Sequence, residues 1–254
     1  MGGGWGELSI FPLMTLLTEQ SFEGFLSAVF EAFRLKLPVQ RIVAEEIYIP
    51  QMFEDTHSIT TNSENAARVW KGIQKNAGKN IAGMVQAAYL SELPEMEVSL
   101  WEYIKGVFVN PENAQNTLEP HTHTVFQTAN KVRKEAHDMK GFVRFQKAEN
   151  DLMVAVIEPT YNIVNLLAEH FANRFPNMQW IIVDIKRGLG IHYDGREIYE
   201  ICGNAAEIPK INDEFSALWK GYYKSADIKE RKNPRLQRRC LSVKYWKHLT
   251  EMER

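Results

Sequence analysis

The chain has 254 residues, of which 44% are hydrophobic and 24% are charged, and its net charge at pH 7 is −2. These proportions are ordinary for a folded globular protein and indicate neither a low-complexity chain nor a disordered tract. Its two cysteines, Cys202 and Cys240, make no disulfide framework and lack the C-x-x-C spacing of a structural zinc site. We therefore expect a protein of the reducing cytoplasm.

The N-terminal segment, residues 1–13, carries no Lys or Arg ahead of its short apolar run. A secretory signal needs a basic start and a longer apolar core, and the run is also too short to span a bilayer. We expect no membrane association. We interpret residues 1–13 as a non-native or disordered extension, with the natural start at Met14.

The first half of the chain predicts few strands and many helices. A short edge strand is expected over 15–18, followed by a helix over 21–36 whose apolar residues recur every three or four positions. Ser21 can cap this helix. A second strand is expected near 46–49. Residues 62–140 predict successive helices that are separated by Gly78, Pro94 and Pro111.

The second half predicts a sheet. Its expected elements, in chain order, are strands over 142–146 and 152–157, a helix over 163–175, a buried strand over 180–185, a hairpin around Asp194-Gly195 and a last helix over 213–224. Strands and helices are segregated along the chain and do not alternate. This order predicts an α+β fold with a largely antiparallel sheet, a helical middle segment and a single compact domain over 14–254.

Two segments concentrate positive charge. The basic C-terminal segment, residues 224–248, has nine Lys or Arg against two acidic residues, a local charge of +7, with Tyr245 and Trp246 at its end. A second segment, residues 131–147, has six Lys or Arg against two acids. Cationic stretches with stacking-capable rings are typical of phosphate-backbone surfaces, but a solvated basic helix gives the same pattern.

Four residues are candidates for acid–base chemistry, namely His137, Glu158, His170 and Asp184. Glu158 ends a predicted strand, and Asp184 interrupts an apolar one, so its carboxylate should be paired or protonated, with Arg187 three residues on. In an enzyme, the four residues would converge on one cleft with Arg144 or Arg187 binding an anion. We predict no metal site and no cofactor, since His121 and His123 have no evident third ligand.

Four blocks of the sequence resemble one bacterial family whose members are described as DNA metabolism proteins. The blocks are EAHDMKGFVRF, IEPTYNIVNLLAEHFANRF, WIIVDIKRGLGIHYDG and ERKNPRLQRRCLSVKYWKHLTE. The resemblance covers about residues 14–251. It implies a gene neighbour encoding a DNA-repair radical SAM protein and, in some members, fusion to a uracil-DNA-glycosylase-like domain. The family has no established activity, so no catalytic residue is transferred to this chain.

The leading hypothesis is a DNA-associated protein in repair or base modification, accessory to a radical SAM or glycosylase-type enzyme. The alternatives are a small hydrolase or lyase that uses the four acid–base candidates, and a protein-docking module that does not contact nucleic acid. Under the leading hypothesis, the residues expected to contact DNA are Arg133, Lys134, Lys140, Arg144, Arg187, Arg231, Lys232, Arg235, Arg238, Arg239, Tyr245 and Trp246.

Overall fold

A computed structural model describes residues 14–52, 54–148, 152–202, 235, 238, 241–249 and 252. Internal contacts divide the chain into two compact units, Met1–Lys131 and Val132–Arg254. Each unit has its own sheet, and the single domain over 14–254 stays a prediction. The predicted extension over 1–13, the 149–151 turn and the last helix over 213–224 lie outside the described residues.

The first unit contains a three-stranded parallel sheet. Strand β1 (Met14–Thr18) lies between β2 (Val39–Ala44) and β3 (Asp55–Ser58). The prediction of a strand at 15–18 is confirmed, but its placement at the edge is wrong, since β1 has a partner on both sides. The strand expected near 46–49 is also wrong. Residues Glu45–Ile47 form a 3-10 helix, and the extended stretch ends before it as β2.

Helices make up the rest of this unit. Helix α1 (Phe22–Leu35) begins at Ser21, whose side chain accepts a hydrogen bond from the Gly24 amide, as predicted. The helices that follow are α2 (Ser63–Ala77), α3 (Lys79–Tyr89), α4 (Met96–Val109) and α5 (Pro120–Phe142), whose last residues belong to the second unit. None of the helices within the described residues is long and apolar enough to cross a membrane.

The second unit contains a five-stranded sheet in the order β4 (Gln146–Lys147), β5 (Met153–Ile157), β6 (Trp180–Asp184), β7 (Leu189–Tyr193) and β8 (Ile198–Cys202). Three of its four pairings are antiparallel, and only β5 and β6 run parallel. The crossover between these two strands contains α6 (Val164–Arg174), as a parallel connection requires. The α+β class and the antiparallel character are therefore confirmed.

One local expectation in this unit needs correction. Helix α5 continues to Phe142, so Gly141 lies inside the helix. Of the strand predicted over 142–146, only the last residue belongs to a strand, β4. Gly190 belongs to β7. A Cβ atom at this position would lie 2.8 Å from the carbonyl oxygen of Ile182 on the neighbouring strand, so the strands can approach only because Gly190 has no side chain.

Candidate anion-binding cleft

A cleft opens at the carboxyl ends of the two parallel strands of the second unit. Its volume is about 500 Å³, and it is lined by the Glu158–Thr160 turn after β5, by Lys186 after β6 and by Val243, Lys244 and Lys247. The last three residues belong to the C-terminal 3-10 helix, Val243–His248. The carboxyl ends of parallel strands are where open sheets commonly bind ligands. We call this feature the lysine cleft.

Glu135 of α5 holds the wall of the lysine cleft in place. Its carboxylate accepts hydrogen bonds from the backbone amides of Thr160 and Tyr161, both at 2.9 Å. It also accepts from the Lys244 ammonium at 2.8 Å and from the Tyr245 hydroxyl. One carboxylate thus ties the turn after β5 to the C-terminal 3-10 helix.

These donors keep Glu135 ionised. Burial by itself would raise the pKa of its carboxyl, because a charge is costly to remove from water. The hydrogen bonds from Lys244, Tyr245 and Thr160 outweigh that effect and lower the pKa to about 2. Burial and the neighbouring carboxylate raise the pKa of Tyr245, so its hydroxyl stays a donor. Glu135 is therefore held as an anion.

A buried ion pair supports the same turn from the β6 side. Asp184 is fully buried, and its carboxylate lies 2.7 Å from the guanidinium of Arg187. It also accepts a hydrogen bond from the Lys186 amide at 2.9 Å. Arg187 donates onward to the carbonyl oxygen of Thr160 at 2.9 Å. This confirms the predicted pairing of Asp184 and fixes the backbone that carries Lys186.

Glu158 is the carboxylate that lines the lysine cleft. It forms an ion pair with Lys247 and lies 3.5 Å from the Nε2 atom of His248. The hydrogen bond from Lys247 lowers the pKa of Glu158, so this residue is also ionised at neutral pH. Burial and then the charge of Lys247 lower the pKa of His248, which favours its neutral form.

The lysine cleft therefore has an excess of positive charge. Among the described residues, Lys186, Lys244 and Lys247 line it with three ammonium groups, and Glu158 is the one carboxylate in its lining. The lining side chains sum to 3 − 1 = +2, and Glu135, which pairs with Lys244 at 2.8 Å behind the wall, reduces the local charge to about +1, while the Asp184–Arg187 pair is neutral. Lys244 and Lys247 retain 44% and 58% exposure of their side chains, so both can reach a ligand. A site of this kind attracts anions.

The four acid–base candidates do not line one site. Of the four, only Glu158 lines the lysine cleft. Asp184 is fully buried behind it. His137 is exposed and lies two residues from Glu135 on α5, where side chains do not share a face. His170 lies on α6 beside Phe171, and burial together with Lys140 and Arg174 lowers its pKa.

The predicted DNA-contacting residues are spread over the second unit. Lys134 is exposed beside Asp138, Arg235 and Arg238 are exposed, and Arg133, Lys140, Arg144 and Arg187 are half-buried. Arg144 donates to the carbonyl oxygens of Gly141 and Val143. Tyr245 is buried against Phe142, so its ring is not open to a base, whereas Trp246 is half-buried. Arg231, Lys232 and Arg239 lie outside the described residues.

Sequence reasoning missed Glu135, Thr160, Lys186 and the individual roles of Lys244 and Lys247. For Glu135 a signal exists. It lies three residues after Val132 and four before Met139, both in the apolar stripe of α5, so its carboxylate falls on the buried face. An acidic residue at such a position requires partners. Lys186 has no comparable signal. Among the described residues, none form a group that could hold a metal ion.

Comparison with known proteins places this region in a family. The sequence profile of a domain of unknown function, DUF4130, matches residues 94–251, more than half of the chain. The match includes α4, α5 and every strand of the five-stranded sheet, together with all residues that line the lysine cleft. Among curated proteins, no sequence matches the chain significantly.

Proposed function

The chain belongs to the DUF4130 family, and we propose that it is a cytoplasmic, DNA-associated protein that assists an enzyme of repair or base modification. The observation that carries the proposal is the lysine cleft. Lys186, Lys244 and Lys247 come from segments about 60 residues apart and converge on one opening. Lysine side chains whose ammonium groups lie close together bind phosphate oxygens.

The local charge favours DNA as a ligand in spite of the acidic remainder of the protein. The whole chain has a net charge of −2, so non-specific attraction by overall charge does not favour nucleic acid. Binding must come from a concentrated cationic surface. The lysine cleft supplies such a surface, and Arg235 and Arg238, which are exposed, lie in the same basic C-terminal segment.

The accessory role rests on the resemblance to DNA metabolism proteins. That resemblance implies a radical SAM or uracil-DNA-glycosylase-like partner. The chain has two cysteines, Cys202 and Cys240, too few for the C-x-x-x-C-x-x-C motif of a radical SAM enzyme. The chemistry would then belong to the partner, and this chain would hold the DNA.

The alternative of a hydrolase or lyase built on His137, Glu158, His170 and Asp184 loses its geometric basis. A base must lie within hydrogen-bond reach of the proton that it takes. Of the four residues, only Glu158 lines the lysine cleft, and it is engaged with Lys247. The docking-module alternative stays a prediction.

Fluorescence anisotropy with single- and double-stranded oligonucleotides at several salt concentrations tests the proposal. The triple variant Lys186→Gln, Lys244→Gln, Lys247→Gln should bind more weakly. Its plot of log affinity against log salt should be shallower by about one unit for each phosphate that the variant no longer neutralises. Absence of binding by the wild-type protein at low salt would overturn the proposal.

The control makes the same charge change on α2 and α3. The variant Lys71→Gln, Lys75→Gln, Lys79→Gln removes three exposed lysines from the first unit. It should retain wild-type affinity and salt slope. Equal weakening by both triple variants would show that net charge, and not the lysine cleft, determines binding. Thermal melting of each variant checks that the fold is intact.

A further inference from the structure

The shape of the lysine cleft indicates a more specific ligand than the DNA backbone. We propose that it binds a terminal phosphate, the phosphate monoester at the end of a nucleic-acid strand. This inference rests on the proposed function and names the part of the DNA that the site would recognise. It is carried by the positions of the three lysines, the charge balance and the size of the opening.

The three lysines line one opening. Lys244 and Lys247 are three residues apart on a 3-10 helix, where side chains at this spacing lie on the same side. Lys186 approaches from the end of β6, with its Nζ atom 3.4 Å from the carbonyl oxygen of Thr160. A binding surface for the duplex backbone would instead repeat along successive phosphates.

The charge of the ligand favours a terminal phosphate over an internal one. Three lysines against Glu158 and Glu135 leave the site with a local charge of 3 − 2 = +1. An internal phosphodiester carries one negative charge, whereas a phosphate monoester carries about −1.5 to −2 at pH 7 and presents three oxygens. The three ammonium groups therefore attract a terminal phosphate more strongly than an internal phosphodiester, and its three oxygens offer an acceptor to each of them.

The walls of the lysine cleft are held before a ligand arrives. Glu135 fixes the amides of Thr160 and Tyr161 and also the ammonium of Lys244. The Lys186 amide is bound to Asp184. The volume of the cleft, about 500 Å³, lies within the range of small-ligand sites, so the nucleotide attached to the phosphate could also enter. Pre-arranged donors lose little freedom on binding.

The experiment compares oligonucleotides of one sequence that differ only at their ends. Each carries an internal fluorophore and a 5′-phosphate, a 3′-phosphate or hydroxyl groups at both ends. We expect one phosphorylated form to bind about tenfold more tightly than the hydroxyl form, as two or three charge-assisted hydrogen bonds allow. Free mononucleotide and inorganic phosphate, used as competitors, show whether the strand contributes beyond the phosphate.

Lys186→Gln is the decisive variant. It should reduce the preference for the phosphorylated end to less than about twofold, while Lys75→Gln should leave it unchanged. Persistence of the preference in Lys186→Gln would overturn the assignment to the lysine cleft. Equal binding of all three oligonucleotides by the wild-type protein would overturn the terminal-phosphate inference but leave DNA association standing. Failure to bind any of them would overturn both.

Discussion

At the residue scale, Glu135 is the side chain on which the candidate site depends most. Its carboxylate accepts hydrogen bonds from two backbone amides, one ammonium group and one phenol hydroxyl, all from segments distant in sequence. Its removal would leave the amides of Thr160 and Tyr161 without their acceptor. Buried donors that lose an acceptor are costly, which makes Glu135 a residue for stability first and for binding through Lys244 second.

Glu135→Ala should lower the free energy of unfolding by about 2 to 4 kcal/mol, because it removes a buried charge and orphans its donors. Urea denaturation at pH 7 measures the change. Glu169→Ala, at an exposed position of α6, is the matched control and should change stability by less than about 0.5 kcal/mol. Equal effects of the two substitutions would contradict the hydrogen-bond network described for Glu135.

The same residue predicts a pH dependence. The pKa of Glu135 is about 2 in the folded protein and 4.5 as an ordinary glutamate. A depressed carboxyl pKa stabilises the fold above pH 4.5, and this stabilisation is lost as the pH falls from 4.5 towards 2. Between pH 6 and pH 3 the stability advantage of the wild type over Glu135→Gln should shrink by about 1 to 2 kcal/mol, after allowance for solvent screening at Lys244.

Urea denaturation of both proteins at pH 6, 5, 4 and 3 gives that difference directly. Glu169→Gln, at an exposed position of α6, is again the control. Wild-type and Glu135→Gln curves that fall in parallel would show that Glu135 does not titrate with a lowered pKa.

At the element scale, the helices could be predicted and the sheet order of the first unit could not. Helix α1 is recognisable from apolar residues at intervals of three and four and from its Ser21 cap, both local signals. Strand β3, Asp55–Ser58, consists of Asp, Thr, His and Ser and is exposed throughout. It has no apolar alternation for a pattern to detect. Because the sequence does not predict β3, it also does not predict that β1 is the central strand of its sheet.

The lysine cleft shows the same division between local and distant information. The end of β5 and the buried Asp184 were recognisable, because an apolar strand that stops at Glu158-Pro159 and one interrupted by a carboxylate are local patterns. The contact of Lys244 with Glu135 joins residues 109 positions apart. Nothing in the neighbourhood of either residue specifies the other. The sequence shows that the C-terminal segment is basic, but it does not show that Lys244 of this segment binds Glu135.

Helix α1 also supplies a prediction about glycine. An alanine within a helix is normally more stable than a glycine by about 0.5 to 1 kcal/mol. At Gly24 a Cβ atom would lie 2.6 Å from the carbonyl oxygen of Glu19 and 2.7 Å from the Thr18 hydroxyl. Gly24→Ala should therefore destabilise the protein by about 1 to 3 kcal/mol, because the backbone oxygen must move.

Gly106 of α4 is the matched control, since a Cβ atom there would meet no other atom within 4 Å. Gly106→Ala should follow the general rule and stabilise the protein by about 0.5 to 1 kcal/mol. Thermal unfolding of the two variants should shift in opposite directions. A stabilising Gly24→Ala would mean that the turn between β1 and α1 is looser than the structure shows.

At the scale of the whole molecule, charge is distributed unevenly. The chain carries a net charge of −2, yet residues 131–147 and 224–248 together hold 15 of its 30 Lys and Arg. Long-range attraction to DNA is therefore weak, and any affinity must come from charges that lie close to the nucleic acid. Salt at about 0.1 M screens the attraction between exposed charges over a distance of about 10 Å. Within the lysine cleft, Glu158 weakens the attraction to a phosphate. Its carboxylate forms an ion pair with Lys247, and its negative charge repels the phosphate group.

Glu158→Gln should accordingly strengthen DNA binding, an outcome that few single substitutions in a site produce. It releases Lys247 from its ion pair and removes one like charge, which should tighten binding about threefold at low salt. Glu64→Gln on α2, an exposed position, makes the same change in net charge and should leave affinity unaltered. Anisotropy titrations of both variants at two salt concentrations, with melting curves to confirm folding, measure the difference. If Glu158→Gln binds no better than Glu64→Gln, Glu158 does not oppose DNA binding and its ion pair with Lys247 does not limit the affinity.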